Sequence, residues 1–478
     1  MSLSRLIAKN FLTLLITRGI LICISLIVIS KTSHYLGVEK FGEYNLVFTY
    51  LSFFTMFTDL GMSTIVIREM SANRERAGVI LFNYILIRTI LIAIAVSSLL
   101  LSIPFITYPD STKKLIMLAS IGPILSILTP YETVFHVSLK FKYSSIITIL
   151  IRILSASLIL LLIFFGAAVK ELVIVSLIEN ITNSILAFYF GKRLIKAVFN
   201  VDFSICRFII KNSWPLAIST IASMIHLRLD QILIAHFKGN IGVGYYTASL
   251  KLIEQLNLIP VYTVTVLFPL LSNIRVDSLD RFVRISNLSF KYMAMLGIFL
   301  GVILSAISAT LIILIYGEEF LPAQNPFKWL VWAQMLRFPN IVLGMLINIM
   351  NRQKTGMFNS IFCSIVSIGM NIYFIPLFGI TGAAIASFLT ELTMFFLAVR
   401  VVKQDLTDFT LSPLFSFLAA GISGWLVISS MGNRLSVIFI LFPLIYFGIV
   451  MLLKGFDRED YRIFKEFVML KRKAVYVS

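Results

Sequence analysis

Charged side chains inside long apolar stretches are the first candidates for chemistry in this sequence. The cations of this kind are Arg18, Arg88, Arg152, Arg228, Lys251 and Arg337, and the acids are Asp59, Glu132, Glu179, Asp230, Glu254 and Glu391. A charge within a membrane is costly, so it usually faces a cavity or a partner. Arginine is also suited to binding phosphate through two parallel hydrogen bonds. The alternative for a residue near a helix end, such as Arg88, is that its side chain snorkels to the membrane surface.

The composition indicates that lipid is the solvent around these residues. The 478-residue chain is 59% hydrophobic and only 13% charged, whereas soluble domains carry about 25% charged residues. The net charge of +18 would suggest nucleic acid in a soluble protein. Here the cations lie mainly in short loops, so we predict membrane lipids as partners and no nucleic acid. The three cysteines and four histidines are too scattered for a metal site, and we predict none.

Apolar stretches of roughly 20 residues, the length needed to cross a bilayer, recur from end to end. The predicted spans are 12–30, 44–64, 80–103, 114–132, 144–166, 171–190, 213–236, 247–271, 291–315, 328–350, 357–377, 380–399, 412–430 and 435–453. Lys and Arg concentrate in alternate loops, which predicts that both termini are cytoplasmic. The fourth span is weakened by Gly122, Pro123 and Pro130.

An internal repeat divides this set of spans. Residues 5–44 align without a gap on residues 207–246, and ten positions are identical, among them Gly37 with Gly239 and Gly42 with Gly244. The first span therefore corresponds to the seventh, and the two copies have the same orientation. We predict an all-α polytopic membrane protein of about fourteen helices. Two six-helix lobes would be related by a pseudo-two-fold axis along the membrane normal, with two extra C-terminal helices. The predicted boundaries are 1–200, 201–405, 406–454 for the additional pair and 455–478 for a basic cytoplasmic tail.

Short motifs in the loops and helix ends are similar to those of a known family. In the first half they are Tyr35-Leu36-Gly37-Val38-Glu39-Lys40-Phe41-Gly42-Glu43-Tyr44, Asp59-Leu60-Gly61-Met62-Ser63 and Ile67-Arg68-Glu69. In the second half they are Trp214-Pro215, Arg228-Leu229-Asp230-Gln231, Val243-Gly244-Tyr245-Tyr246 and the segment from Phe378 to Ala384. The chain resembles the polysaccharide flippases that translocate O-antigen or capsular repeat units, within the multidrug/oligosaccharidyl-lipid/polysaccharide exporter superfamily. Many members of that family have twelve spans, so fourteen is a departure.

The resemblance implies a transporter, not an enzyme, in the bacterial cytoplasmic (inner) membrane. It would carry an undecaprenyl-pyrophosphate-type lipid-linked oligosaccharide for O-antigen or lipopolysaccharide assembly, possibly beside a polysaccharide polymerase. Such a cargo is anionic, which suits a cationic cavity. The predicted substrate-binding residues are Arg18, Arg88, Arg152, Arg228 and Arg337.

An energy source is also implied, and the sequence has no glycine-rich phosphate loop of the kind that binds ATP. We therefore predict no cofactor beyond H⁺ or Na⁺, with Asp59, Asp230 and Glu391 as candidate coupling residues. Each of these acids has a purely structural role as its alternative. The competing functions are a lipid II flippase, a drug/cation antiporter of the same superfamily and a membrane polysaccharide polymerase. The cations within the spans disfavour the antiporter, and the short outer loops disfavour the polymerase.

Overall fold

The computed structural model describes residues 3–431, 437–453, 455, 456 and 460, and within these it leaves out the side chains of residues 3–18, 215, 219, 223, 226, 227 and 437. All regular elements in this part of the chain are helical. The helices are α1 (Leu3–Thr55), α2 (Met62–Ala72), α3 (Ala77–Ser102), α4 (Asp110–Ala119), α5 (Ile121–Leu125), α6 (Glu132–Val137), α7 (Phe141–Phe164), α8 (Val169–Gly191), α9 (Phe203–Glu254), α10 (Leu258–Asp277), α11 (Leu279–Ala306), α12 (Ser308–Tyr316), α13 (Gln324–Ile349), α14 (Gln353–Phe378), α15 (Ile380–Asp405), α16 (Ser412–Ser430) and α17 (Phe442–Leu452). The predicted all-helical class is confirmed.

Ten helices in the described residues are long and apolar enough to cross a membrane, or eleven if one bent pair forms a single span. The chain is thus a multi-pass membrane protein. The bent pair, Asp110–Leu125 and Thr129–Val137, turns by 46° where the sequence places Gly122, Pro123 and Pro130. Proline and glycine free backbone groups that a regular helix would use, so this predicted span is broken into short pieces.

Two of the ten helices are about twice as long as one crossing requires. Gly19–Ala72 has 54 residues and Arg228–Asp277 has 50, and at 1.5 Å per residue each would extend about 75–80 Å, against about 30 Å of hydrocarbon. The helices α1 and α9, which make up most of these two stretches, each contain one glycine with non-helical dihedral angles, Gly37 (φ 67°, ψ 177°) and Gly239 (φ 66°, ψ −168°). A positive φ strains any residue with a Cβ atom. Each long helix is therefore two helical segments that meet at a glycine.

Contacts divide the chain into two compact units. The first unit comprises Met1–Ser249, Ile312–Ala323 and Ser360–Ala383, and the second comprises Leu250–Leu311, Gln324–Asn359 and Ala384–Ser478. One apolar cluster of the first unit includes Met62, Val66, Leu81, Tyr84, Val134 and Ile209. The second unit packs Phe282, Phe290, Phe338, Val342, Phe395 and Phe409 in one cluster. The bounds of these units differ from those of the predicted lobes, whose boundaries stay a prediction.

Candidate functional site

The Asp59 carboxylate caps the N-terminal end of α2. Its Oδ1 accepts a hydrogen bond from the Ser63 backbone N–H at 3.1 Å, and its Oδ2 accepts one from the Ser63 hydroxyl at 2.9 Å. The turn between Asp59 and α2 contains Gly61 at φ 75°, where an added Cβ would lie 2.7 Å from Cβ of Leu216. The glycine therefore allows the turn to pack closely on α9. This arrangement fixes the Asp59 side chain at a helix end.

Tyr84 extends this polar group towards α3. Its hydroxyl donates a hydrogen bond to Asp59 Oδ1 at 2.5 Å, and its ring is 2% exposed. Arg88 follows one helical turn later, so both side chains lie on the same face of α3. Tyr84 lies within electrostatic reach of three charges, those of Asp59, Arg88 and Glu132. The four side chains thus form one interacting group.

The guanidinium of Arg88 is only partly satisfied. Its Nη1 donates to the Thr129 hydroxyl at 2.5 Å, while its Nε is buried with no hydrogen-bond partner. Unpaired buried donors of a charged group are costly, and they are uncommon unless a ligand or water completes them. Arg88 Nε is thus one buried donor that the described protein contacts leave without an acceptor.

Glu132, the first residue of α6, is the last charged member of this group. Its Oε1 accepts a hydrogen bond from the amide nitrogen of Asn183 on α8 at 2.8 Å. We call the set Asp59, Tyr84, Arg88, Thr129, Glu132 and Asn183 the polar seam; all six lie in the first unit. The seam joins two predicted site residues, Asp59 and Arg88, to four residues that carried no predicted role.

A second charged group of the first unit surrounds Tyr44. This half-buried side chain lies within electrostatic reach of Glu179 on α8 and Arg152 on α7. Arg152 is exposed on its helix. Arg88 and Arg152, two of the predicted arginines, thus lie in the first unit near acidic side chains.

Asp230 lies buried on α9, with 4% of its surface exposed. Its Oδ2 accepts a hydrogen bond from the Tyr246 hydroxyl, and its Oδ1 accepts one from the backbone N–H of Gln231 at 2.7 Å. Gln231 in turn accepts a 2.5 Å hydrogen bond from Thr49 of α1. Arg228 is half-buried two residues earlier. Asp230 therefore belongs to a network that joins α1 to α9.

Arg337 and Glu391, which the sequence assigned to different roles, contact each other in the second unit. Arg337 Nη2 lies 2.6 Å from Glu391 Oε1, and its Nε donates to the same oxygen at 2.7 Å. Asn340 donates to the second carboxylate oxygen at 3.0 Å. Glu391 is 5% exposed, so this is a buried ion pair whose partners neutralise each other. The side chain of Arg18 lies outside the described residues, and the assigned roles of all eight residues stay predictions.

The repeated glycines make a reciprocal contact inside the first unit. A Cβ added to Gly42 would lie 1.9 Å from the Asn240 carbonyl oxygen, and one added to Gly244 would lie 2.2 Å from the Val38 carbonyl oxygen. In the repeat, Gly42 corresponds to Gly244 and Val38 corresponds to Asn240. Each copy therefore presents the same glycine to the same position of the other copy.

Sequence reasoning missed several partners that the structure brings together. The hydroxyl of Tyr84, the Asn183 amide and the buried ion pair of Lys291 with Asp460 (2.5 Å) had no assigned role. Asn183 lies within an apolar span, and this is the one signal that pointed to it. Among the described residues, no group of three His, Cys, Asp or Glu side chains is placed to hold a metal ion.

Comparison with known proteins identifies the family. A family model described as polysaccharide biosynthesis protein matches residues 7–275, more than half of the chain. The chain belongs to the polysaccharide biosynthesis protein family. The resemblance noted from the loop motifs is thereby confirmed. The matched region contains the whole polar seam, Tyr44, Arg152 and Asp230. No curated protein sequence gives a significant match.

Several solved structures share the fold of this polysaccharide biosynthesis protein. Lipid II flippase MurJ in an inward closed conformation superposes with a TM-score of 0.74 at 16% identity, over 95% of this chain and 100% of MurJ. An inward-facing multidrug-resistance MATE family transporter gives 0.64 at 13% identity, over 81% and 96% of the two chains. A transporter from Pyrococcus furiosus, described by the reverse polarity of its binding pocket, gives 0.59 at 14% identity, over 84% and 96%. These superpositions establish the fold of this protein.

Proposed function

We propose that this protein translocates an isoprenoid-pyrophosphate-linked oligosaccharide repeat unit from the cytoplasmic to the outer leaflet by alternating access. It acts as a transporter and not as an enzyme. Membership of the polysaccharide biosynthesis protein family and a fold shared with lipid and multidrug transporters support this function.

The observation that carries the proposal is the incompletely paired guanidinium of Arg88 in the polar seam. A pyrophosphate or an acidic sugar would supply the acceptor that Arg88 Nε lacks once a change of conformation exposes that atom, and Arg binds phosphate oxygens in pairs. The exposed guanidinium of Arg152 adds a second cation in the same unit.

The topology we propose has fourteen crossings with both termini in the cytoplasm. Separating the two double-length helices at Gly37 and Gly239 adds two crossings to the ten, and the bent pair adds one. The short apolar helix Ile438–Leu452 supplies the last. In this arrangement two six-helix lobes form the transport core and the last two spans pack against it.

Alternating access needs a contact that closes one side of the core, and the Gly42–Gly244 contact is suited to that role. In the proposed topology it lies at the outer end of the second and eighth spans. Backbones that touch without side chains between them leave no path for a sugar. We propose that this contact opens when cargo is released to the outer leaflet.

We further propose that H⁺ or Na⁺ drives the cycle through Asp59, Asp230 or Glu391. All three carboxylates have partners in the structure: Asp59 caps a helix, Asp230 accepts hydrogen bonds from Tyr246 and Gln231, and Glu391 is paired with Arg337. Whichever of them couples transport would have to exchange these partners during each cycle.

The function is tested by deleting the gene and measuring which lipid-linked saccharide accumulates, with variants then returned to the deletion strain. We expect Arg88→Ala and Arg152→Ala to restore membrane expression but little export, with Arg88→Lys intermediate because a single ammonium cannot bind in a bidentate manner. Arg281→Ala, which removes an exposed cation outside the proposed spans, is the matched control. Wild-type export by both alanine variants would refute the cationic cavity.

Lipid II is the second candidate cargo, favoured by the superposition with the lipid II flippase MurJ over that protein's full length. The deletion experiment separates the two cargoes. If the protein carries the repeat unit, the deletion strain accumulates an oligosaccharide on an isoprenoid carrier; if it carries lipid II, the strain accumulates a peptidoglycan precursor. Drug hypersensitivity without either accumulation would instead favour the antiporter.

A further inference from the structure

The segment that follows α8, residues 192–202, is held rigidly against the start of α3. The Val198 N–H donates to the Gly78 carbonyl at 3.0 Å, and a Cβ on Gly78 would lie 2.4 Å from the Lys196 carbonyl oxygen. The Asn83 amide donates to the Asn200 carbonyl at 2.8 Å and accepts from the Asp202 N–H at 2.9 Å. We call residues 192–202 the strap. Although it joins two predicted lobes, it is a docked element and not a free linker.

The strap presents apolar side chains outward despite this fixed backbone. Phe199 is 88% exposed, and Phe203 at the start of α9 is 82% exposed. The Phe199 ring also lies 5.0 Å from Phe82, in the second turn of α3. Two large aromatic rings held outward in this way would be costly in water.

In the proposed topology, position along the helices puts these rings near the membrane boundary. Tyr189, 44% exposed, lies at the end of α8, and Trp214, 56% exposed, lies in α9. Tyrosine and tryptophan concentrate at the headgroup level of membrane proteins. Because the strap folds back onto the first turns of α3, Phe199 returns to the depth at which that helix enters the bilayer.

Cations surround the exposed rings and acids are nearly absent. Residues 192–211 contain Lys192, Arg193, Lys196, Arg207 and Lys211, all exposed, against one acid, Asp202. Asp202 is already bound to Arg76 at 2.9 Å. Arg193 lies 4.1 Å from the centre of the Tyr189 ring, so this cation is held at the aromatic level.

We propose that the strap and the first turns of α9 form a docking surface for anionic phospholipid headgroups. Phe199 and Phe203 enter the boundary of the acyl chains, and the five cations bind the phosphates of the same leaflet. Charge complementarity and continuity with the lipid-facing spans favour lipid over an acidic soluble protein. This inference does not depend on the cargo that the protein carries.

Depth measurements on the full-length protein in nanodiscs test the position of the strap. A spin label is attached at Phe199→Cys after Cys23, Cys206 and Cys363 are changed to Ser. Labels at Ile94→Cys, on the exposed face of α3, and at Glu75→Cys, exposed before α3, provide the lipid and water references. We expect the Phe199 label to collide with oxygen more, and with a water-soluble nickel complex less, than the Glu75 label. Equal collision rates at positions 199 and 75 would place the strap in water and overturn the proposal.

Lipid selectivity tests the charges independently of the label. Wild-type protein in nanodiscs of equal parts phosphatidylglycerol and phosphatidylcholine is extracted, and the bound lipids are counted by native mass spectrometry. The strap variant is Lys192→Gln/Arg193→Gln/Lys196→Gln, and the matched control is Arg281→Gln/Arg400→Gln/Lys403→Gln, which removes three exposed cations elsewhere. We expect the ratio of bound phosphatidylglycerol to phosphatidylcholine to fall about tenfold or more in the strap variant, and much less in the control. An equal fall in both variants, or none in the strap variant, would overturn the proposal.

Discussion

The contact between Gly42 and Gly244 leads to a prediction whose magnitude follows from the geometry. In Gly42→Ala the new Cβ would lie 1.9 Å from the Asn240 carbonyl oxygen and 2.7 Å from the Gly244 nitrogen, whereas real Cβ contacts essentially never fall below 3.0 Å. Both obstacles are backbone atoms, so no side chain can rotate away. The two helical segments must therefore separate by about 1 Å, and overpacking of this kind typically costs about 1–3 kcal/mol.

Thermal unfolding of the purified protein measures this cost, and Gly369→Ala provides the control. Gly369 also lies in a helix, but a Cβ there meets nothing within 4 Å. Alanine favours a helix over glycine by about 1 kcal/mol, so the control should be neutral or stabilising while Gly42→Ala is destabilising. If the contact forms in only one conformation, the same energy shifts the balance of conformations by roughly 5- to 150-fold, which export rates would report.

Two further variants make the reasoning refutable. Gly244→Ala places its Cβ 2.2 Å from the Val38 carbonyl oxygen, so it should cost nearly as much as Gly42→Ala. The double variant should cost less than the sum, because one separation of the helices relieves both clashes. Unfolding of Gly42→Ala at the temperature of Gly369→Ala, or strictly additive losses in the double variant, would refute the account.

Three other contacts give predictions of their own. Arg337→Met should destabilise the protein by about 3–5 kcal/mol because it removes the guanidinium that is paired with the buried Glu391 carboxylate. Adding Glu391→Leu should recover much of that loss in the same unfolding assay, and a double variant less stable than the single one would contradict this. Hydrogen bonds from Ser204, together with Arg76, hold the pKa of the Asp202 carboxyl below its usual 3.8. The stabilisation of the strap by the ionised carboxylate is therefore present above pH 3.8 and is lost as the pH falls through the lowered pKa. A spin label at position 199 should gain mobility on such acidification in the wild type and show no such step in Asp202→Ala. Burial raises the pKa of the Cys206 thiol, and the thiol also donates a hydrogen bond to Asn83 Oδ1 at 3.2 Å. Maleimide should therefore label Cys206 slowly at neutral pH and faster in Asn83→Ala. Equal labelling rates in the two proteins would argue against that hydrogen bond.

The fold class could be predicted from the sequence because a helix that crosses a lipid bilayer needs about 20 consecutive, mostly apolar residues. Apolar stretches such as 412–430 became single helices, here Ser412–Ser430. The stretch 114–132 did not, since Pro123 and Pro130 interrupt backbone hydrogen bonding and the chain bends. At Gly37 and Gly239 the sequence predicted loops between separate spans, whereas in the structure helical segments meet directly at each glycine.

The charges of the site were visible in the sequence, whereas their pairing was not. Arg337 and Glu391 are 54 positions apart, and no local pattern indicates that they form one ion pair instead of serving cargo and ion separately. Asp59 and Tyr84 are 25 positions apart, the first in the turn before α2 and the second on α3. Which charge finds a partner depends on how the helices pack, and that information is spread over the whole chain.

The repeat, by contrast, contained more structural information than a count of identities suggests. A contact made by equivalent patches of two copies must be self-complementary, because residue i of one copy meets residue j of the other and the reverse. A side chain at Gly42 would collide with Asn240, and one at Gly244 would collide with Val38, which occupies the same position in the other copy. The same close approach of the two backbones therefore requires glycine at this position in both copies. The left-handed turns at Gly37 and Gly239 are likewise the same turn made twice, five residues before each contact glycine, and they direct the following segments to the crossing.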